Sequence, residues 1–179
     1  SLQISDYQAI PRLTGAVSRK VHGSGNSHDI DLLTEEPAVE CRNSNGNHTL
    51  VFTFSKDVVS GDAAVESGTG SLFGNPIFAG NTMTVNLTGV ANAQAMKVQL
   101  SGVADSYAQE LPDTEITARF LIGDTTNDHF VNSGDATETR SRSGHSTDTQ
   151  NFRSDVNADG NINSGDAFVV RKYSGTTAP

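Results

Sequence analysis

The feature that most restricts this chain is a repeat of aspartates in its last third. Asp124, Asp128 and Asp135 recur as Asp155, Asp159 and Asp166, 31 residues later and with the same internal spacing. The flanks repeat as well. DTTNDHFVNSGDATETRSRSG (124–144) aligns without a gap on DVNADGNINSGDAFVVRKYSG (155–175), and ten of the 21 positions are identical. A solvated acidic face has no reason to repeat in register, whereas a duplicated structural unit does.

The second copy fits a twelve-residue calcium loop. Asp155, Asn157 and Asp159 stand at positions one, three and five, and Gly160 at six, where a sharp turn needs positive φ. Asn161 at seven offers its backbone carbonyl, Ile162 at eight is the apolar tie to a core, and Asn163 at nine coordinates directly or through a water. Asp166 at twelve closes the ring. Calcium is a hard cation that takes six to eight oxygens at roughly 2.3–2.6 Å, and alternate residues of a tight loop can converge on one point. In the first copy Asp124, Asp128 and Asp135 keep their places, and Phe130 and Asn132 supply the seventh and ninth positions. Thr126 offers only a hydroxyl at three, and His129 replaces glycine at six. Both loops are expected to bind, the first less tightly. A helix should start at position ten of each, with Asn132 and Asn163 as N-caps and Gly144 and Gly175 as stops.

The lack of an amphipathic helix ahead of either loop makes these loop–helix units rather than full helix–loop–helix hands. Two copies of D-x-N-x-D-G-x-[IV]-N-x-x-D, each with one following helix, resemble the dockerin family, over Asp124 to about Gly175. The resemblance implies a small α module that binds two Ca²⁺ and docks onto a cohesin-like protein, fastening polysaccharide-degrading enzymes to a scaffold. By the same resemblance, Ser133, Gly134, Arg140, Ser164, Gly165, Arg171 and Lys172 are the residues that would meet the partner. The duller alternative is a calcium-locked module that packs against a neighbour in its own chain.

Residues 13–122 alternate with period two, as half-buried strands do. Leu50, Phe52 and Phe54, then Met83, Val85 and Leu87, then Met96, Val98 and Leu100, and finally Ile116, Ala118, Phe120 and Ile122 mark four strands. Shorter candidates are 15–21, 29–33, 38–42 and 62–66. Turn material at 43–47, 67–70 and 87–90 separates them, and no helix is expected. Such spacing predicts an antiparallel sandwich. The segments VFTFSKDV and NTMTVNLTGVANAQAMKVQLSGVAD resemble the immunoglobulin-like modules of bacterial extracellular proteins. The organisation read from the sequence is therefore mainly β. Residues 1–12 form a linker or leading edge strand, 13–122 an immunoglobulin-like β-sandwich, and 123–179 the dockerin-like module. Only Gly123 separates Ile122 from the first ligand, so the two modules should sit at a fixed angle.

Composition removes several functions. Twelve basic residues against 21 acidic ones give a net charge of −9, which argues against nucleic acid. No apolar run of about 18 residues exists to span a membrane. Cys41 is alone and reads as a buried apolar side chain. An enzyme ranks last, because Asp29 with Asp31 and Glu35 with Glu36 are sequence neighbours rather than carboxylates facing across a cleft. His28, Asp29 and Asp31 could form a further ion corner, or Ile30 and Leu32 could point inward and leave the polar residues wet. A calcium-dependent carbohydrate-binding module is the alternative function. Without tryptophan it would rely on Tyr107, with the phenylalanines at strand positions as core. The preferred reading is a non-catalytic, calcium-stabilised docking piece of a larger secreted bacterial protein, extracellular or at the cell surface.

Overall fold

The structure is a computed structural model that describes residues 9–34 and 38–179. The pair Glu35 and Glu36 and most of the 1–12 leader lie outside the described residues.

Ten strands build two sheets that face each other. The first holds β1 (Leu13–His22), β2 (Asn26–Asp31), β4 (His48–Phe54), β6 (Ser71–Leu72), β7 (Ile77–Ala79) and β8 (Thr82–Thr88). Its order is β2-β1-β4-β8-β6, with β7 also on β8. The second contains β3 (Val39–Glu40), β5 (Ser60–Ser67), β9 (Gln94–Ala104) and β10 (Thr114–Phe120), in the order β3-β10-β9-β5. The alternating residues point where period two sends them. Phe52, Phe54, Met83 and Leu87 of the first sheet meet Met96, Val98, Leu100 and Phe120 of the second in one buried core. Ile30 and Leu32 are buried as expected. Pairing is antiparallel except for β3, which runs parallel to β10.

That parallel pair prepares the junction. The last strand stops at Phe120, two residues earlier than the alternation suggests. The chain keeps following β3: Leu121 N–H donates to the Glu40 carbonyl at 3.0 Å and Gly123 N–H to the Cys41 carbonyl at 2.9 Å. Leu121 thereby leaves the first core and enters a second, with Val39, Val131, Val156 and Val170. This second core joins the β unit to the remainder of the chain, which carries α1 (Ser133–Ser141), a short 3-10 helix (Phe152–Ser154) and α2 (Ser164–Tyr173).

Two buried groups of the β unit have displaced proton affinities. Burial raises the cost of the Glu40 charge. The Arg42 guanidinium outweighs that cost and, with the Ser18 hydroxyl, holds the carboxyl well below its usual range. Cys41 is buried, and burial pushes its thiol up to about 11.

His48 packs its ring 4.5 Å from that of Phe120. Burial, aided by the charges of Lys20 and Arg42 and opposed by Glu40, lowers it to about 4. Between an unfolded value of ~6.5 and about 4, the unfolded chain takes up a proton that the folded chain refuses. Stability is then expected to fall as pH drops through that window, while the Glu40 contribution starts to go only below ~4.3. Thermal melts from pH 7 to 4 should show His48→Gln with a shallower loss than the parent, and an unchanged slope would refute the assignment.

Candidate functional site

Both loops take the conformation their residue types call for. In the first, Asp124 accepts the backbone N–H groups of Asp128 (3.1 Å) and His129 (3.1 Å). Asp135 accepts those of Thr126 (3.0 Å) and Asn132 (2.9 Å). In the second, Asp155 accepts from Asp159 (3.1 Å) and Gly160 (2.8 Å), and Asp166 from Asn157 (3.1 Å) and Asn163 (2.9 Å). Position six is left-handed in both, with φ of 68° at His129 and 92° at Gly160. The histidine therefore does adopt the strained backbone that glycine takes freely. Position four is left-handed too, at Asn127 and Ala158, which the residue types did not reveal.

The helices start at Ser133 and Ser164, at position ten, each with a complete capping box. Asn132 Oδ1 accepts the Gly134 N–H at 2.6 Å, and Asn163 Oδ1 that of Gly165 at 2.7 Å. The amide oxygens at position nine thus face the helix starts. Thr126 turns its hydroxyl to Asp135 at 2.9 Å, and Asn157 its amide nitrogen to Asp159 at 3.0 Å. Phe130 and Asn161 each donate a backbone N–H to the position-five carboxylate, at 2.9 and 3.0 Å.

The two repeats exchange short pairings. Gly175 N–H donates to the Val131 carbonyl and Val131 N–H to the Thr176 carbonyl. Thirty-one residues apart, Gly144 N–H donates to the Ile162 carbonyl and Ile162 N–H to the His145 carbonyl. Each loop is tied to the segment that leaves the other repeat's helix. The sequence duplication is therefore a two-fold exchange in space, and Val131 and Ile162 are buried by it.

The donor set consists of oxygens, which suits a hard divalent cation better than an ion that prefers thiolate or imidazole. One carboxylate oxygen from each of Asp124, Asp128 and Asp135 lies within 4.8 Å of the others. Asp124 and Asp135 are fully buried. Burial pushes the Asp124 carboxyl up, and it does the same to Asp166, where the charges of Asp155 and Asp159 add to it. Gathered, desolvated carboxylates of this kind call for a cation. Among the described residues the tight triplet is that of the first loop, although its residue types looked the weaker. In the second loop Asp155 is differently occupied. Burial raises it, but hydrogen bonds from His22, Thr147 and Gly160 outweigh this, and the net direction is down.

The polar segment 145–154 is an interface. Phe152 stacks on His28 with ring centroids 5.0 Å apart, and Arg42 lies 5.5 Å over the same ring. His28 is consequently buried rather than wet. Asp29 forms an ion pair with Arg19, and no ion corner gathers around His28, Asp29 and Asp31 among the described residues. Arg153 donates to the carbonyls of Asp124 (2.7 Å), Thr125 (3.2 Å) and Val39 (3.1 Å), which joins the first loop to the β unit. Asn127 Oδ1 accepts the Val39 N–H at 2.7 Å.

Of the residues assigned to a partner face, Ser133, Gly134, Arg140, Ser164, Arg171 and Lys172 are exposed and Gly165 is half-buried. Phe168 is 62% exposed on the same face as Ser164 and Lys172. Aromatics are also exposed at Phe73 and Phe130, so Tyr107 is not the single candidate shelf. Phe73 borders a cavity of about 550 Å³ beside Asn47, His48 and Asn86, far in sequence from the loops.

A mainly β unit of two sheets is joined to a tandem of acidic loop–helix repeats whose donors are oxygens. The family model of the dockerin type I domain matches residues 122–174, less than a third of the chain. No curated protein and no solved structure matches the chain. A domain of this family is a calcium-dependent docking module, and no helix among the described residues is long and apolar enough to cross a membrane.

The inequality of the two helices has a measurable consequence. Thr139 holds the place in α1 that Val170 holds in α2, and its buried hydroxyl has no hydrogen-bond partner among the described residues. Thr139→Val removes that unsatisfied group at nearly constant shape and is expected to stabilise the chain by about 1 kcal/mol. Val170→Thr should do the reverse. Urea unfolding with calcium present measures both, and a destabilising Thr139→Val would show that the hydroxyl is satisfied in solution.

Proposed function

We propose that this chain is a non-catalytic attachment piece of a secreted bacterial protein. In it an immunoglobulin-like sandwich is rigidly seated on a dockerin module that holds two Ca²⁺ and docks onto a cohesin-like partner. The observation that carries this reading is the pair of loops with matched backbone cradles for positions one and twelve, inside a segment that matches the dockerin type I family. When bound, a cation in each loop would neutralise its carboxylates. Asp124, Asp128 and Asp135 would hold the first ion, with Thr126 and the Phe130 carbonyl beside them. Asp155, Asn157, Asp159, Asp166 and the Asn161 carbonyl would hold the second. Asn132 and Asn163 would contribute directly or through a water. The millimolar calcium outside cells suits loops of modest affinity.

The partner face proposed is the row of Ser133, Gly134, Arg140, Ser164, Arg171 and Lys172, all exposed, with half-buried Gly165 among them. The basic residues of that row stand on an otherwise acidic chain, which favours an acidic partner surface. The carbohydrate-binding alternative draws no support from the family match.

Titration calorimetry of the full chain is expected to count two calcium ions. Asp128→Ala and Asp159→Ala should each reduce the count to one, and a chelator should lower the melting temperature. A chain that melts identically with calcium and with chelator would overturn the metal reading. Docking is checked against a panel of cohesins by surface plasmon resonance, with Arg140→Ala combined with Arg171→Ala expected to weaken capture at least tenfold. Silence across the panel in the presence of calcium would remove the docking role and leave the structural one.

A further inference from the structure

The turn between β1 and β2 rests on the second calcium loop. Gly23 N–H donates to the Ala158 carbonyl at 3.0 Å. A Cβ at Gly23 would lie 2.7 Å from the Asp159 carbonyl oxygen, so the contact is backbone against backbone and admits no side chain. Next to it, buried His22 places Nδ1 2.8 Å from Asp155 Oδ2. The other ring nitrogen, Nε2, lies 3.2 Å from Arg42 Nη1. A guanidinium can only donate, so Nε2 accepts and the ring proton sits on Nδ1, facing Asp155. Arg42 is itself fixed, by Glu40 and by the carbonyls of His28 (2.8 Å) and Ser18 (2.9 Å). The imidazole therefore reaches the loop in one tautomer and one orientation.

This arrangement changes the position-one aspartate. Asp155 Oδ2 accepts three hydrogen bonds, from His22, from Thr147 Oγ1 (2.7 Å) and from Gly160 N–H (2.8 Å). Oδ1 accepts one, from Asp159 N–H. The two oxygens are no longer equivalent, and Oδ1 is the one with free lone-pair capacity. Asp124, its counterpart, accepts one backbone N–H on each oxygen, both from its own loop. The duplicated loops thus differ in the outer partners of their first aspartate as well as in their own residues.

We infer that the second ion site is completed from outside its repeat: His22 of the β unit is a positioning residue for Asp155, so that a cation in this loop and the seating of the β unit on it stabilise each other. The inference rests on the reading that the second loop takes calcium. Outer partners of a metal-ligating group change affinity by roughly 10–100-fold when removed. Because coupling between binding and seating is reciprocal, calcium should tighten the hairpin contact by the same factor.

The experiment uses the full chain. In an Asp128→Ala background the second site is titrated alone with Ca²⁺, and in an Asp159→Ala background the first. His22→Ala is expected to weaken the second site on the order of 10-fold and to leave the first within about twofold. His22→Asn should recover most of the loss, because its amide nitrogen stands where Nδ1 stands and can donate to Asp155. Hydrogen exchange at the Gly23 amide should slow on adding calcium to the Asp128→Ala chain and no longer respond once His22→Ala is added. Unchanged affinity in His22→Ala, equal weakening of both sites, or failure of His22→Asn to recover any affinity would each overturn the inference. If the Asp128→Ala chain takes up no calcium at all, the two-ion reading itself falls, and this inference falls with it.

Discussion

Each repeat depends on two buried aspartates whose charges are held by the chain's own amides. Position one accepts the N–H groups of positions five and six, and position twelve those of three and nine. These four bonds shape the loop and start the helix at position ten, and in the first loop one carboxylate oxygen from each of three aspartates lies within 4.8 Å of the others. The arrangement is electrostatically one-sided, because like charges in a desolvated place repel. A hard cation is the complement that the geometry asks for. The exchange of short backbone pairings between the repeats then follows, since residues six to eight of each loop emerge as an edge that needs a partner.

The β unit is bound to this assembly by polar contacts as much as by apolar ones. Arg153 and Asn127 fasten the first loop to β3, while His22, Gly23 and Phe152 fasten the second to β1 and β2. Behind them lies the buried pair of Arg42 and Glu40. A pair in such a place gains little net energy, because desolvation offsets most of the attraction. Its structural effect is directional. It fixes the guanidinium, which fixes the imidazole, which fixes an aspartate of the loop. A small second core of Leu121, Val131, Val156 and Val170 fills the space between.

Much of this was legible in the residues, for reasons that can be named. Period-two alternation marked β4, β8 and β9, because one face of each lies on a core. The short strands β6 and β7 escaped notice, since two or three residues cannot display a period. The twelve-residue spacing located both loops and their helix starts, because ligand geometry and capping act within one short segment. Phe152 and Arg153 were hidden in a polar stretch with no periodicity. His28 read as solvent-facing because its neighbours Asp29 and Asp31 are polar. Phe168 is exposed, although an apolar residue on a helix is ordinarily turned inward.

By itself the sequence determined what is local: where strands alternate, where oxygens can converge, where helices begin, and that the acidic loop was duplicated. Those depend on neighbours within a dozen residues and on chain stereochemistry. Only the tertiary structure decided which loop is served by which outer partner. His22 and Asp155 are separated by 133 residues, yet their atoms meet at 2.8 Å. No spacing rule connects them, because the contact exists only after both sheets have closed and the repeats have exchanged their edges.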